Sequence, residues 1–295
     1  MNTTDNIIGV IGGSGIYDID GLSNTYWKKI SSPFGQPSDE LLFGELNNKL
    51  VVFLPRHGRG HKIPPSEINY RANIDVLKKS GVCKIISLSA CGSFKDNLSP
   101  GTFVIVDQFI DRTFARQKSF FGTGLVAHVG FGQPVCSDLG DILEEGCKKL
   151  LINKVRGGTY LAMEGPQFST LAESNLYRNW DCDIIGMTNM PEAKLAREAE
   201  ICYATVGMVT DYDCWHPGHD HVSVDTIIKV LSDNAQNARN LVKEVIPRIF
   251  ENIGSSCSQG CQSALDNALI TAPEARDPKM IKKLSTVAGR VLLDE

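Results

Sequence analysis

Little in this chain points to nucleic acid, membrane or an oxidising compartment. Its 34 acidic and 30 basic residues leave a net charge of −4, and the pI is about 5.9. A basic footprint for nucleic acid or an anionic membrane surface is therefore missing. No apolar run approaches the length of a membrane span, and MNTTDN carries no basic export signal, so a cytoplasmic protein is expected. The nine cysteines include no CxxC followed by a second CxxC, which removes support for a zinc ribbon. They read as buried free thiols, except that Cys257 and Cys261 in CSQGC are close enough for a small-loop disulfide. Neither GxGxxG nor GxxxxGK[ST] occurs, so a dinucleotide fold or a P-loop loses support. Internal repeats and low-complexity linkers are absent as well.

What is present is an alternation of strands and helices. With 42% hydrophobic residues over 295 positions there is enough apolar surface for one substantial core. IIGVI (7–11) runs into the turn GGSG (12–15), a strand-then-glycine pattern that suits either an anion site or a plain tight turn. LLFGELNNKLVVFLP reads as a hairpin about Asn47-Asn48, and its second strand leads into PRHGRGH (55–61). Arg56, His57, Arg59 and His61 crowd that loop in an otherwise acidic chain, which makes it an anion pocket. Residues 66–81 form a helix with Ser66 as cap and Gly81 at its end.

KIISLSACGS (84–93) is a strand ending in small residues that leave room for a ligand. Residues 99–113 read as a turn and one strand, and 114–137 as a loop carrying a lone His128. Helices follow at 138–152, 171–180, within 183–201, and at 223–250 with Ser223 as cap. ALDNALIT and DPKMIKKLSTVAGRVL give two short helical patterns in an appended tail.

The richest stretch is ATVGMVTDYDCWHPGHDH (204–221). Gly207 in its apolar strand allows close backbone approach. Asp211 and Asp213, two apart, point the same way if the strand continues to both. At the carboxyl end of a buried strand such a pair faces the ligand crevice of an open α/β sheet, although it could equally cap the next helix. His216, His219 and His221 invite a metal, but no Cys or Glu at ligand spacing completes a site, so they read as a loop over the ligand and no metal is expected.

GGSG, PRHGRGH, SACGS, DQFIDRT, MEGPQFST, GMTNMPEAKLARE, ICYATVGMVTDYDCW and SVDTIIKVL stand in the same order as in the trimeric purine nucleoside phosphorylase superfamily, and the chain resembles most the branch acting on 5′-methylthioadenosine. The resemblance covers roughly residues 6–250. It implies an α/β domain over 1–250 with a mixed, partly closed central sheet surrounded by helices. Residues 251–295 would be a C-terminal helical extension packed on the same homotrimer, which could itself pair into a hexamer. It also implies cleavage of an N-glycosidic bond by inorganic phosphate, giving adenine and 5-methylthioribose 1-phosphate without a cofactor.

By the same resemblance Ser14, Arg56, His57, Ser89, Ala90 and Thr188 hold phosphate, and Phe168 lies on the purine face. The Met187 backbone meets the ribose hydroxyls, Asp211 faces N7 and Asp213 the 6-amino group. Val224, Ile227 and Ile228 wall the methylthio end with His61 nearby, and His128 enters a neighbouring subunit's site. Asp211 is the expected general acid, since the departing purine gathers negative charge. Three rival readings remain: a hydrolytic nucleosidase using water, a purine phosphorylase also accepting adenosine and inosine, and a purine-binding module without catalysis. An acceptor-only carboxylate at Asp213 favours 6-amino over 6-oxo purines, and a purely binding module would not need the phosphate loop.

Overall fold

A computed structural model describes residues 6–13, 15–216, 224–251 and 253–293, with backbone alone for 224–228. The strands are β1 (Ile7–Gly12), β2 (Ser23–Lys28), β3 (Leu41–Leu46), β4 (Lys49–Pro55), β5 (Val82–Ser93), β6 (Phe103–Ile105), β7 (Gln108–Asp111), β8 (Lys154–Arg156), β9 (Thr159–Ala162), β10 (Ile184–Gly186) and β11 (Cys202–Asp211). The helices are α1 (Tyr70–Lys79), α2 (Ser137–Lys149), α3 (Leu171–Asn179), α4 (Asn189–Glu198), α5 (Val224–Glu251), α6 (Pro278–Lys283) and α7 (Ser285–Leu292).

All strands belong to one mixed sheet whose hub is β5. It runs parallel to β1 on one side and to β11 on the other, then takes β10 antiparallel at Gly92 and Ser93. One path runs β2-β3-β4-β1-β5-β10-β9-β7, while β11, β6 and β8 branch away from it. Successive side chains of a strand point to opposite faces, so each face has its own core. Ile7, Ile11 and Ile85 pack with α1, α4 and α7 residues. Ile8, Val10, Ile86 and Leu88 pack with α2 and α5. Burial on both faces explains why these strands read as continuous apolar runs rather than alternating ones.

Gly207 gives the close approach expected of it. A Cβ there would sit 2.4 Å from Ile184 Cδ1 and 3.2 Å from Cys91 Sγ. The hairpin turn is also as read: Asn47 and Asn48 take φ of 52° and 58°, the left-handed pair that a two-residue hairpin turn requires.

Three local expectations are corrected. Residues 99–113 hold two strands, because the chain leaves β11 and β8 at Ile105 and joins β9 from Gln108. The cap of α1 is Asn69, whose Oδ1 accepts from the Ala72 N–H at 3.1 Å; Ser66 instead donates to the Glu164 carboxylate. ALDNALIT is not helical, since its backbone pairs across the chain: Ile270 N–H donates to Val126 C=O and His128 N–H to Ala268 C=O. β2 escaped notice because it is mostly exposed and lacks an apolar run. The expected cap Ser223 lies outside the described residues. Leu284, Val287, Ala288 and Leu292 of the tail share the core of α1 and α4, and Arg290 donates to the buried Glu200 carboxylate. Among the described residues no helix is long and apolar enough to cross a membrane.

Candidate active site

The carboxyl ends of β4, β5 and β11 meet the start of α4, and there the site forms. β4 delivers Arg56, only 2% exposed. Its Nε and Nη2 clasp Glu192 at 2.7 and 3.0 Å, Nη2 also donates to Ser87 Oγ at 2.7 Å, and Nη1 donates to Leu88 C=O at 3.0 Å. A guanidinium has five N–H donors, so one Nη1–H is left for a ligand. Glu192 further accepts from Ser87 Oγ and Tyr203 OH, and Asn189 Nδ2 donates to Tyr203 OH and Thr205 Oγ1 at 2.7 Å. A buried ion pair persists only when hydrogen bonds satisfy its remaining sites; here they do, and although burial disfavours the cation, the Glu192 charge and its hydrogen bonds outweigh it and keep Arg56 protonated.

The basic loop divides. Arg56 turns inward, whereas Arg59 turns out to Asp39 and Glu40 and lies 4.1 Å over Trp27, so Arg59 is not part of the anion pocket. His57 is buried, with Nδ1 2.9 Å from Ile63 C=O and its ring stacked 4.1 Å from His61. A carbonyl only accepts, so Nδ1 carries the proton and neutral His57 presents Nε2 as an acceptor. Burial pushes its pKa down to about 4, against the Ile63 carbonyl.

A stability consequence follows. The unfolded histidine, near 6.5, binds a proton that the folded one refuses down to about 4. Its contribution is thus present above about pH 6.5 and lost as pH falls toward 4, by at most roughly 3 kcal/mol. The stability gap between wild type and His57→Asn should therefore narrow on acidification. Urea unfolding at about pH 7 and pH 4.5 measures it; an unchanged gap contradicts the assignment.

Along β5, Ser89 is buried with its Oγ 3.2 Å from both Tyr160 OH and Thr188 Oγ1. Ala90 is the one exposed residue of that strand, within the stretch of small residues. Farther along, Asp211 is registered beside Gly92, where a Cβ would come within 2.9 Å of Asp211 Oδ1 and 3.4 Å of Asp213 Cβ. The absent side chain is what admits both acids.

Strand geometry does not continue to Asp213 as the spacing assumed. β11 stops at Asp211, and Asp213 adopts φ 53° in a turn, its N–H donating to Asp211 Oδ1 at 2.8 Å. The pair is held by this turn and not by a shared strand face. Burial raises both carboxyls above the usual carboxylate range. Thr210 Oγ1 is 2.7 Å from Asp211 Oδ2 and 3.2 Å from Cys91 C=O. As a donor to Asp211, the Thr210 hydroxyl favours the ionised carboxylate and works against the shift that burial imposes. Trp215 closes this end, donating from Nε1 to Ser93 C=O at 2.7 Å with the Arg178 guanidinium 3.6 Å over its ring.

Phe168 stands 55% exposed on the loop after β9. Buried Arg116 underpins that loop, donating to Glu164, Met163 C=O, Met187 C=O and Met190 C=O. Burial works against the Glu164 charge, but donors from Ser66, Phe114, Ala115 and Arg116 hold its pKa at about 2. The sequence reading missed Glu192, Ser87, Tyr160 and the Arg116–Glu164 pair. Glu192 was detectable as an acid beside Pro191 at a strand-to-helix turn; the others carry no local signal.

His128 is not brought to this site. It is exposed beside a cavity of about 420 Å³ lined by Lys118, Phe121, Lys194 and Glu198, among others. Ser14, His219 and His221 lie outside the described residues, and nothing is described of the side chains of Val224, Ile227 and Ile228. His216 Nε2 is 3.3 Å from Asp96 Oδ1 and its ring stacks on Tyr212.

A strand-end anion pocket joined to a buried acid pair is what a nucleoside-cleaving phosphorylase needs. Residues 7–247 match the model of the phosphorylase superfamily, and the chain belongs to that family. It is 62% identical over 286 residues to S-methyl-5′-thioadenosine phosphorylase of Rhodospirillum rubrum, covering 97% of each chain. It is 58% identical to the enzyme of the same name from Cereibacter sphaeroides, over 97% of this chain and 98% of that one. Among solved structures, a methylthioadenosine phosphorylase from an antarctic soil metagenomic library superposes with a TM-score of 0.90 at 46% identity, covering 97% of this chain and 99% of the other. The methylthioadenosine phosphorylase of Schistosoma mansoni, in complex with adenine, gives 0.82 at 33% identity, covering 89% and 98%.

Proposed function

We propose that this enzyme cleaves 5′-methylthioadenosine with inorganic phosphate, yielding adenine and 5-methylthioribose 1-phosphate, a step of purine and methionine salvage in the cytoplasm. The observation that carries the reading is the layout of β5. Ser89, beside Thr188 and near Arg56, marks an anion end. Gly92, beside Asp211 and Asp213, marks a base end. Three residue steps of strand separate them, about 10 Å at ~3.3 Å per residue, which spans a sugar between phosphate and purine. The names of the relatives agree with this reading.

In the reaction a phosphate oxygen attacks C1′ as the C1′–N9 bond breaks, passing through an oxocarbenium-like sugar. Phosphate is already an anionic nucleophile, so the work is positioning and charge stabilisation, and no cofactor or metal is called for. The free Nη1–H of Arg56, Ser89, the Ala90 backbone and Thr188 hold phosphate with Ser14 of the glycine turn. His57 Nε2, an acceptor, takes a phosphate O–H. The Met187 backbone meets the ribose hydroxyls and Phe168 covers the purine. Asp211 delivers its proton to N7 as electrons flow into the leaving base, and Asp213 accepts from the 6-amino group. Val224, Ile227, Ile228 and His61 wall the methylthio group. His128 would complete the site of a neighbouring subunit in a homotrimer.

The deciding assay follows adenine release from methylthioadenosine with and without phosphate. Release is expected to need phosphate and to form the sugar 1-phosphate in equal amount. Phosphate-independent release with free methylthioribose would make the enzyme a hydrolase and overturn the reading.

A further inference from the structure

The fold assembles four cysteines from three segments far apart in the sequence. Cys136 is the N-cap of α2, Cys202 opens β11, and Cys257 and Cys261 bracket a turn of the tail. Their four sulfurs all lie within 4.8 Å of one another. Cys257 Sγ is 3.5 Å from Cys136 Sγ and 3.4 Å from Cys261 Sγ. All nine cysteines are free thiols, and these contacts are far beyond the roughly 2.05 Å of a disulfide. They are instead close to the edge of a tetrahedron of sulfurs at about 2.3 Å from a central ion, which is about 3.8 Å.

We propose that Cys136, Cys202, Cys257 and Cys261 form a structural zinc site that clamps the tail to the start of β11 and the N-terminus of α2. Four thiolates with no open position are the donor set of structural zinc, and soft sulfur ligands exclude magnesium or calcium. Cys136, Cys202 and Cys261 are at most 2% exposed, while half-buried Cys257 leaves a route for the ion. The second layer fits a thiolate cluster. Gln259 N–H donates to Cys257 Sγ at 3.4 Å, and buried Arg197 lies near enough to Cys261 to offset negative charge. The turn is also held by hydrogen bonds of its own. Gly260, at φ 62°, closes it back onto Cys257 C=O, Ser258 N–H donates to Asp138 at 2.9 Å and Ser137 N–H to Gln259 Oε1 at 2.9 Å. Hydrogen bonds from the ligand-bearing segments fix the cysteines in register, as outer partners of metal ligands do.

The test is elemental analysis of the full chain, expressed with added zinc and purified under reducing conditions without chelator. About one zinc per chain is expected, with four thiols reacting only after zinc is withdrawn. Cobalt exchanged for zinc should show the intense visible absorption of a tetrahedral thiolate site. Cys257→Ser and Cys261→Ser should each retain at least tenfold less zinc and melt several degrees lower, while Cys83→Ser, outside the cluster, should keep its zinc. Should the cluster variants fail to fold, the wild-type stoichiometry and the cobalt spectrum still decide. Less than a tenth of a zinc per chain, iron in its place, or peptides joined by disulfides among these four cysteines would overturn the proposal.

Discussion

Asp211→Asn is expected to lower kcat for methylthioadenosine about 10²- to 10⁴-fold near neutral pH, the range of a lost general acid. The amide keeps the shape and the hydrogen bond from Asp213 N–H, so loss of the exchangeable proton is isolated from loss of structure. Asp213→Asn should act differently. Its amide can turn its oxygen toward the 6-amino group, or its NH₂ toward a 6-oxo group, so the change should appear mainly as altered preference between methylthioadenosine and methylthioinosine. Steady-state kinetics of both variants with both nucleosides separates the roles. Near-normal turnover by Asp211→Asn, with loss in Asp213→Asn, would exchange the assignments. The structural ground is that burial, opposed by the Thr210 and Asp213 donors, keeps Asp211 protonated more readily than an ordinary carboxyl.

Glu192→Gln is expected to destabilise the fold by about 3–5 kcal/mol and to raise the phosphate concentration needed for half-maximal rate. Both partners of the Arg56–Glu192 pair are 2% exposed, so removing the negative charge strands a buried cation. An outer pair such as Arg248–Glu145 remains in water when broken and should matter little. The variant Glu192→Leu with Arg56→Met removes both charges and should recover much of the stability without recovering phosphate binding. Urea midpoints at constant m-value, with phosphate titrations, test both halves. If Glu192→Gln unfolds at the wild-type midpoint, the pair is not the anchor described here.

The elements, and the strand ends where the candidate site gathers, were legible because they leave local traces. Two-face burial makes β1, β4, β5 and β11 continuous apolar runs, and Asn47-Asn48 is a turn chemistry with few uses. Small residues at 89–93 and acids at 211 and 213 mark a strand end that must hold something. Signals failed where a residue's partner is remote. Ser66 has the chemistry of a cap, but the Glu164 carboxylate claims it. Arg56 and Arg59 look alike in PRHGRGH, and only the positions of Glu192 and of Asp39 send one in and the other out. ALDNALIT has helical periodicity, yet the 126–128 loop offers its backbone better-placed partners.

The sequence alone therefore determined the mixed α/β architecture and the family, because hydrophobic periodicity, turn residues and the order of motifs are written along the chain. Tertiary structure alone decided what each polar group does. Whether Asp211 holds a proton depends on burial. Whether Asp213 faces it depends on a left-handed turn, and whether Arg56 is anchored depends on a glutamate on another helix. The four cysteines make the same point. A sulfur's chemistry depends on which sulfurs lie within a few ångströms, and that distance is set by packing of segments that spacing along the chain does not relate.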